Sequence, residues 1–187
     1  MIRNIAIALC TLLLFAAMAW TTIAAAPSEH MQQQIRTTPV DYAMPYPGIL
    51  PDSPLYPLKA FRDRVVSFFI TDASKQADFD LLQADKRVAA GEYLLQEKNP
   101  NKELISETIS KGENYFGDAI KNIAVAKNEG QLTNDFLDKL TRAGEKHQQI
   151  FLQMAEKTGG QLHQDLLSEV SRVQDFENQV SKLKLEK

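Results

Sequence analysis

One cysteine is the chain's whole stock of thiol, and it stands at position 10. With Leu9 before it and the first residue so close, Cys10 does not form a lipoprotein attachment pattern. No second cysteine is present to close a disulfide, so stability must come from packing. A surplus of positive charge is missing as well. The 21 Lys and Arg residues are outnumbered by 24 Asp and Glu, for a formal net charge of -3. Mixed in this way, they leave no electrostatic footprint for nucleic acid and no basic block for anionic lipid. The sequence holds no GxSxG, no HExxH and no glycine-rich phosphate cradle. Those gaps speak against hydrolase, metalloprotease and nucleotide-binding chemistry. No enzyme activity, catalytic residue, metal or cofactor is expected.

Histidine is scarce: His30, His147 and His163. His147 falls on an apolar helical stripe, which predicts a partly buried, hydrogen-bonded side chain rather than a metal ligand. A soft-metal site would have to join His147, Met154 and His163 across two helices, and one histidine per helix supports it poorly. No Glu-x-x-His pair occurs, which disfavours a di-metal carboxylate bundle. Carboxylates such as Asp78, Asp85, Glu92, Glu113 and Asp118 are expected on solvated helix faces, with partners four residues away such as Glu107 and Lys111.

Residues 1–26 read as a targeting segment. Arg3 supplies the positive start, Ile5 to Trp20 an apolar stretch, and Ala24, Ala25 and Ala26 a small-residue exit. Cleavage after Ala25 or Ala26 gives a secreted, periplasmic or cell-surface protein. The apolar run through Ala26 is also long enough to serve as an uncleaved anchor. Either way the bulk of the chain is expected outside the cytoplasmic membrane, touching it only through this segment. Residues 27–52 are polar, proline-bearing and aperiodic, and predict an extended tether.

YPGILPDSPLYPLK, residues 46–59, separates this leader from an almost proline-free remainder. Pro47, Pro51, Pro54 and Pro57 push the residues before them out of the helical region. Two helix starts fit: Asp52 or Ser53 caps a helix with Pro54 at its first position, or Ser53–Tyr56 is a separate turn and the helix begins at Pro57. Tyr42, Tyr46, Leu50, Leu55 and Tyr56 give the joint apolar surface to lay on a bundle.

The motif Leu50, Pro51, Asp52, Ser53, Pro54, Leu55, Tyr56, Pro57, Leu58, Lys59 followed by an amphipathic helix resembles a bacterial extracytoplasmic family, domain of unknown function 5667. A second stretch, ADKRVAAGEYLL at 84–95, is similar to that family's next helix, with Arg87 and Glu92 at matching places. The resemblance spans about residues 46–130 and implies no activity. Ala90, Gly91 and Tyr93 depart from the family's pattern.

Helical periodicity fills the rest, residues 53–187 forming one domain. Helix one, about 54–70, carries Leu58, Phe61, Val65 and Phe68 and ends in VVSFFI. It is expected to be the most buried. Helix two, about 72–98, is capped by Thr71 or Asp72. Helix three, about 102–128, has the seam Ile105, Ile109, Gly112, Phe116, Ala119, Ile123 and Ala126. Helix four, about 134–157, starts at Thr133 or Asn134 and carries Leu137, Leu140, Gly144, His147, Phe151 and Met154. Helix five, about 161–184, has a thinner face of Leu166, Val170, Val173, Val180 and Leu183. Mid-helix Gly91, Gly112, Gly117 and Gly144 predict close helix approach. The expected fold is all-α, an antiparallel up-and-down bundle of four to five helices. Its expected role is a non-catalytic interaction or scaffold module of the cell envelope, meeting a protein partner through residues 46–59 or the thin face of helix five. The alternative is a ligand-responsive module that senses metal or small molecules, or a holdase-type chaperone.

Overall fold

A computed structural model describes residues 39–131 and 133–185. They belong to the second of the two units into which the chain divides, Thr38–Lys187. The targeting segment, Cys10, His30 and the first part of the tether lie outside the described residues.

Five helices and no strand make up the described chain: α1 (Tyr56–Phe69), α2 (Ala73–Leu95), α3 (Lys102–Asn128), α4 (Asn134–Glu156) and α5 (Gln161–Leu185). The protein is an all-α bundle, as the periodicity predicts. Asp72 caps α2 by accepting from the Lys75 N–H at 2.9 Å, and Asn101 caps α3 through the Leu104 N–H at 3.1 Å. Each bond satisfies an N–H that the first turn leaves without an intrahelical partner. Gly130 and Gly160 have φ of +81° and +68°, the left-handed conformation that ends α3 and opens α5. Thr133 holds the position before α4 without a side-chain cap.

Side-chain bonds fix the helix directions. Asn122 donates to Asp80 at 2.8 Å while Gly91 lies against Ile109, so α2 and α3 are antiparallel. In α4 and α5, Gln148 donates to Glu177 and Lys184 reaches Thr141, again antiparallel. Between the two hairpins, Ser106 bonds Asp165 and Arg172 bonds Asn114, which makes α3 and α5 parallel. Lys139 with Asp78 and His147 with Asp85 do the same for α2 and α4. Direction alternates along the chain, and helices of like direction are neighbours across the hairpins. No described helix is long and apolar enough to cross a membrane.

The core is built from Leu81, Ile105, Ile109, Phe116, Ile123, Leu137, Leu140, Phe151 and Leu166, all fully buried. Two expectations need correction here. Helix one, expected to be the most buried, buries no residue at all. Ala60, Asp63 and Ser67 recur at three- and four-residue steps and are its half-buried side, whereas Leu58, Phe61, Val65 and Phe68 face outward. The four longer helices close the core among themselves, so α1's stripe has nothing left to fill. The face of α5 is also not thin. Phe176 adds to Leu162, Leu166, Val170, Val173 and Val180, and all six are buried.

Candidate functional site

Among the described residues, a group of ionisable side chains enclosed by the bundle sits at mid-height, one residue from each of three helices. His147 of α4 is fully buried. Its Nδ1 lies 2.8 Å from Glu113 Oε1 on α3, and its Nε2 lies 3.0 Å from Asp85 Oδ1 on α2. Tyr42, in the extended segment before α1, donates its hydroxyl to the other Asp85 oxygen at 2.7 Å. Phe116 and Phe151 flank the imidazole, with ring centroids 5.3 and 6.0 Å away.

With Asp85 and Glu113 ionised their oxygens only accept, so both ring nitrogens donate and His147 is an imidazolium. Burial, the largest single influence, pushes its pKa down. The Glu113 charge and the bonds to Asp85 and Glu113 outweigh it and raise the pKa to about 9. The Tyr42 hydroxyl is pushed well above its ordinary range, first by burial and then by the Asp85 charge and hydrogen bond. Glu113 Oε2 is buried without a hydrogen-bond partner. Two carboxylates around one cation thus form an incompletely satisfied network, the costly kind in a low-dielectric interior.

Local sequence brings these groups together. Asp85 follows Leu81 by four residues and precedes Val88 by three, while Glu113 stands in the same relation to Ile109 and Phe116. Each carboxylate is therefore on its helix's inward stripe, not on a solvated face as expected. Next to Glu113, a Cβ on Gly112 would stand 3.1 Å from Arg87 Cβ and 3.3 Å from the Ala84 carbonyl oxygen. That close crossing of α2 and α3 lets Asp85 and Glu113 reach one imidazole. Sequence reasoning found His147 but missed Asp85, Glu113 and Tyr42. A charge on an apolar stripe was the available signal for the first two, and nothing local marks Tyr42.

The arrangement holds a charge inside the bundle. Two clefts of about 360 and 320 Å³ open elsewhere, one lined by Glu92, Pro100, Met154 and Lys157, the other by Tyr46, Lys59, Arg62 and Lys86. Neither is lined by Asp85, Glu113 or His147. No described group of three His, Cys, Asp or Glu side chains could hold a metal ion. His147 has both nitrogens engaged, and His163 Nδ1 bonds the Ala155 carbonyl at 2.9 Å, so the soft-metal site joining them with Met154 does not form.

The proline joint makes a second, outer site. Ser53 accepts from the Tyr56 N–H at 3.0 Å, a turn that precedes the helix, and Leu55 rather than Asp52 or Ser53 holds the N-cap position. Of the two starts, the separate turn is the one adopted, with α1 beginning at Tyr56. Lys59 Nζ donates to the carbonyls of Pro47 and Ile49 at 3.0 and 3.2 Å and folds the joint back on α1. Arg87 donates to the Tyr56 hydroxyl at 2.6 Å, with its guanidinium over the rings of Tyr56 and Tyr115. Pro47 is buried and Tyr46 meets the Tyr93 ring edge-on. Of the described part of the tether, residues 39–50 carry neither helix nor strand, Pro51 and Asp52 lie in a turn, and the segment is held to α2 through Tyr42 and Tyr46.

The two motifs that carry the family resemblance meet at Tyr56 and Arg87. Of their other residues, Leu50, Pro51 and Ser53 are half-buried, while Asp52, Pro54, Leu55, Pro57 and Leu58 are exposed. Glu92 lies apart from Arg87, half-buried at the far cleft, and no ion pair joins the two among the described residues.

The fold and these contacts define a class: a four-helix bundle with a clasped amphipathic helix outside it and a closed charge cluster within. The chain belongs to the family described as a domain of unknown function (DUF5667), which matches residues 48–182, from the joint to near the end of α5. No curated protein and no solved structure matches it.

Proposed function

We propose that the chain is an exported, non-catalytic interaction module of the bacterial cell envelope, and that α1 is its contact surface. The observation that carries this reading is the orientation of α1. Phe61, Phe68 and Phe69 are 66%, 81% and 75% exposed, with Leu55 and Leu58 beside them. At roughly 150–250 Å² per aromatic side chain, the three rings alone leave on the order of 400 Å² in solvent. The largest patch on a typical monomer is about 300–600 Å², and the leucines and valines add to the rings. A helix that turns its polar side to its own domain and its apolar side outward is presented to something else. The charge cluster supports the non-catalytic part, since its groups are buried and line neither of the two clefts described above. An extracytoplasmic address follows from the expected targeting segment.

Photocrosslinking in native envelopes tests this. A photoreactive residue at position 61 should label envelope components, and one at exposed position 121 on α3 should not. Equal labelling at both positions would sink the reading. A holdase role rests on the same rings, which would bind unfolded chains. It expects near-stoichiometric suppression of a denatured client's aggregation, abolished by Phe61→Ser with Phe68→Ser.

A further inference from the structure

The outward face of α1 has a particular chemistry. Within α1 itself the chain holds Lys59, Arg62 and Arg64 against a single carboxylate, Asp63, with Asp52 and Asp72 just beyond its ends. Asp63 is turned inward, its side chain 12% exposed, and is already paired with Arg62 at 2.6 Å. Arg64 is exposed and has no carboxylate partner among the described residues, and the same holds for half-buried Lys86 on α2. The fold gathers Lys86 with Lys59 and Arg62 around one cleft of about 320 Å³ next to the apolar stripe. Tyr46, 74% exposed, and Ile49 complete its rim. In a chain of net charge -3, this side is locally basic.

We propose that α1 is an interfacial helix whose outward face rests on an anionic phospholipid surface, with the Lys59, Arg62 and Lys86 cleft at the depth of the headgroups. This deepens the interaction-module reading and rests on it. Phenylalanine and leucine on one face with arginine and lysine at its margins is the pattern of helices that lie in a membrane interface. Arg62, though on the outward side, has a stem long enough to keep its guanidinium among headgroups. Charge complementarity decides between this occupant and a second copy of the chain. A two-fold pairing of the stripe would bring a second set of the same cations to a side where Lys59, Arg64 and Lys86 already lack a carboxylate partner among the described residues, like charge beside like charge. The apolar run expected to anchor or export the chain ends 30 residues before α1, at Ala26. Reading the sequence alone, without Lys86 placed beside α1, leaves the helix short of flanking lysines.

The test uses the full chain carrying Trp20→Phe and Phe68→Trp, so that a single indole reports on α1 whatever the N-terminal segment does. Vesicles of phosphatidylcholine with one-third phosphatidylglycerol should shift its emission to the blue. Lipids brominated in their acyl chains should quench it. Arg64→Glu with Lys86→Glu should weaken vesicle affinity roughly 25-fold or more and cut the quenching accordingly, since each of the two cations near an anionic surface contributes about 1 kcal/mol, or roughly fivefold in affinity. Circular dichroism before vesicles are added checks that the variants remain folded. Emission indifferent to brominated lipid overturns the proposal, as does quenching that survives charge reversal. So does emission already blue without vesicles at the sedimentation mass of a dimer, which would assign the face to a second copy. If lipid fails while position 61 crosslinks an envelope protein, the lipid surface falls and the interaction module stands. If both fail, so do both readings.

Discussion

His147 is the residue on which the interior's electrostatics turn. Removing it leaves Asp85 and Glu113 facing one another without a cation, and breaking a buried pair in this way costs about 3–5 kcal/mol. His147→Ala is therefore expected to lower unfolding free energy by that much in urea titrations. Replacing the cluster as a unit, Asp85→Leu, Glu113→Leu and His147→Met together, should recover most of the loss, because no uncompensated charge remains. The pH dependence has a definite sign. With a folded pKa of about 9 against an ordinary 6.5, His147 contributes stability that is fully present below about pH 6.5 and lost as pH rises through 9. For this fully buried group the difference is on the order of 3 kcal/mol. Glu177 adds a slope in the same direction at lower pH. Burial is its main influence, opposed by the Gln148 bond and assisted by the Glu145 charge, and its pKa rises to about 7. An acid that keeps its proton longer when folded loses stability as pH rises from its ordinary 4.5 to 7. Urea midpoints should fall across both windows, with His147→Gln flattening the upper one and Glu177→Gln the lower.

Helix contacts decide which glycines matter, and two that look alike in sequence separate sharply. A Cβ on Gly91 would meet Ile109 Cγ1 at 2.7 Å, so Gly91→Ala forces the isoleucine aside. Overpacking of that kind costs about 1–3 kcal/mol, more than the helix propensity it gains. A Cβ on Gly144 meets Glu177 and Val173 at 3.5 Å, ordinary contact. Gly144→Ala should stabilise by up to about 1 kcal/mol. Calorimetric melting of the pair would show opposite shifts. The outer helix behaves differently again. Because Phe61 and Phe68 are exposed, Phe61→Ser with Phe68→Ser should leave the melting temperature nearly unchanged, within the ±0.5 kcal/mol or so of ordinary surface substitutions. A large drop would mean that α1 packs inward.

Across the whole molecule, much of the architecture was legible in the sequence and the polar interior was not. The helix Lys102–Asn128 was legible because a strict seam runs between the Asn99-Pro100-Asn101 break and Gly130. The orientation of α1 was not legible. Periodicity says that Leu58, Phe61, Val65 and Phe68 share a face but not which way the face points, and that depends on whether the other four helices have already filled the core. Asp85 and Glu113 were misread because composition assigns carboxylates to water, although their register with Leu81 and Ile109 places them inside. The charge cluster also bears on the order of assembly. Each antiparallel hairpin closes through contacts near in sequence, which form early. The imidazolium finds its carboxylates only after α2, α3 and α4 have converged, joining residues 85, 113 and 147. Its bonds are expected to form after the transition state, so His147→Ala should speed unfolding while leaving the refolding rate almost unaltered in stopped-flow chevrons. The cluster would then act as a latch, setting how long a folded chain persists rather than how fast it forms.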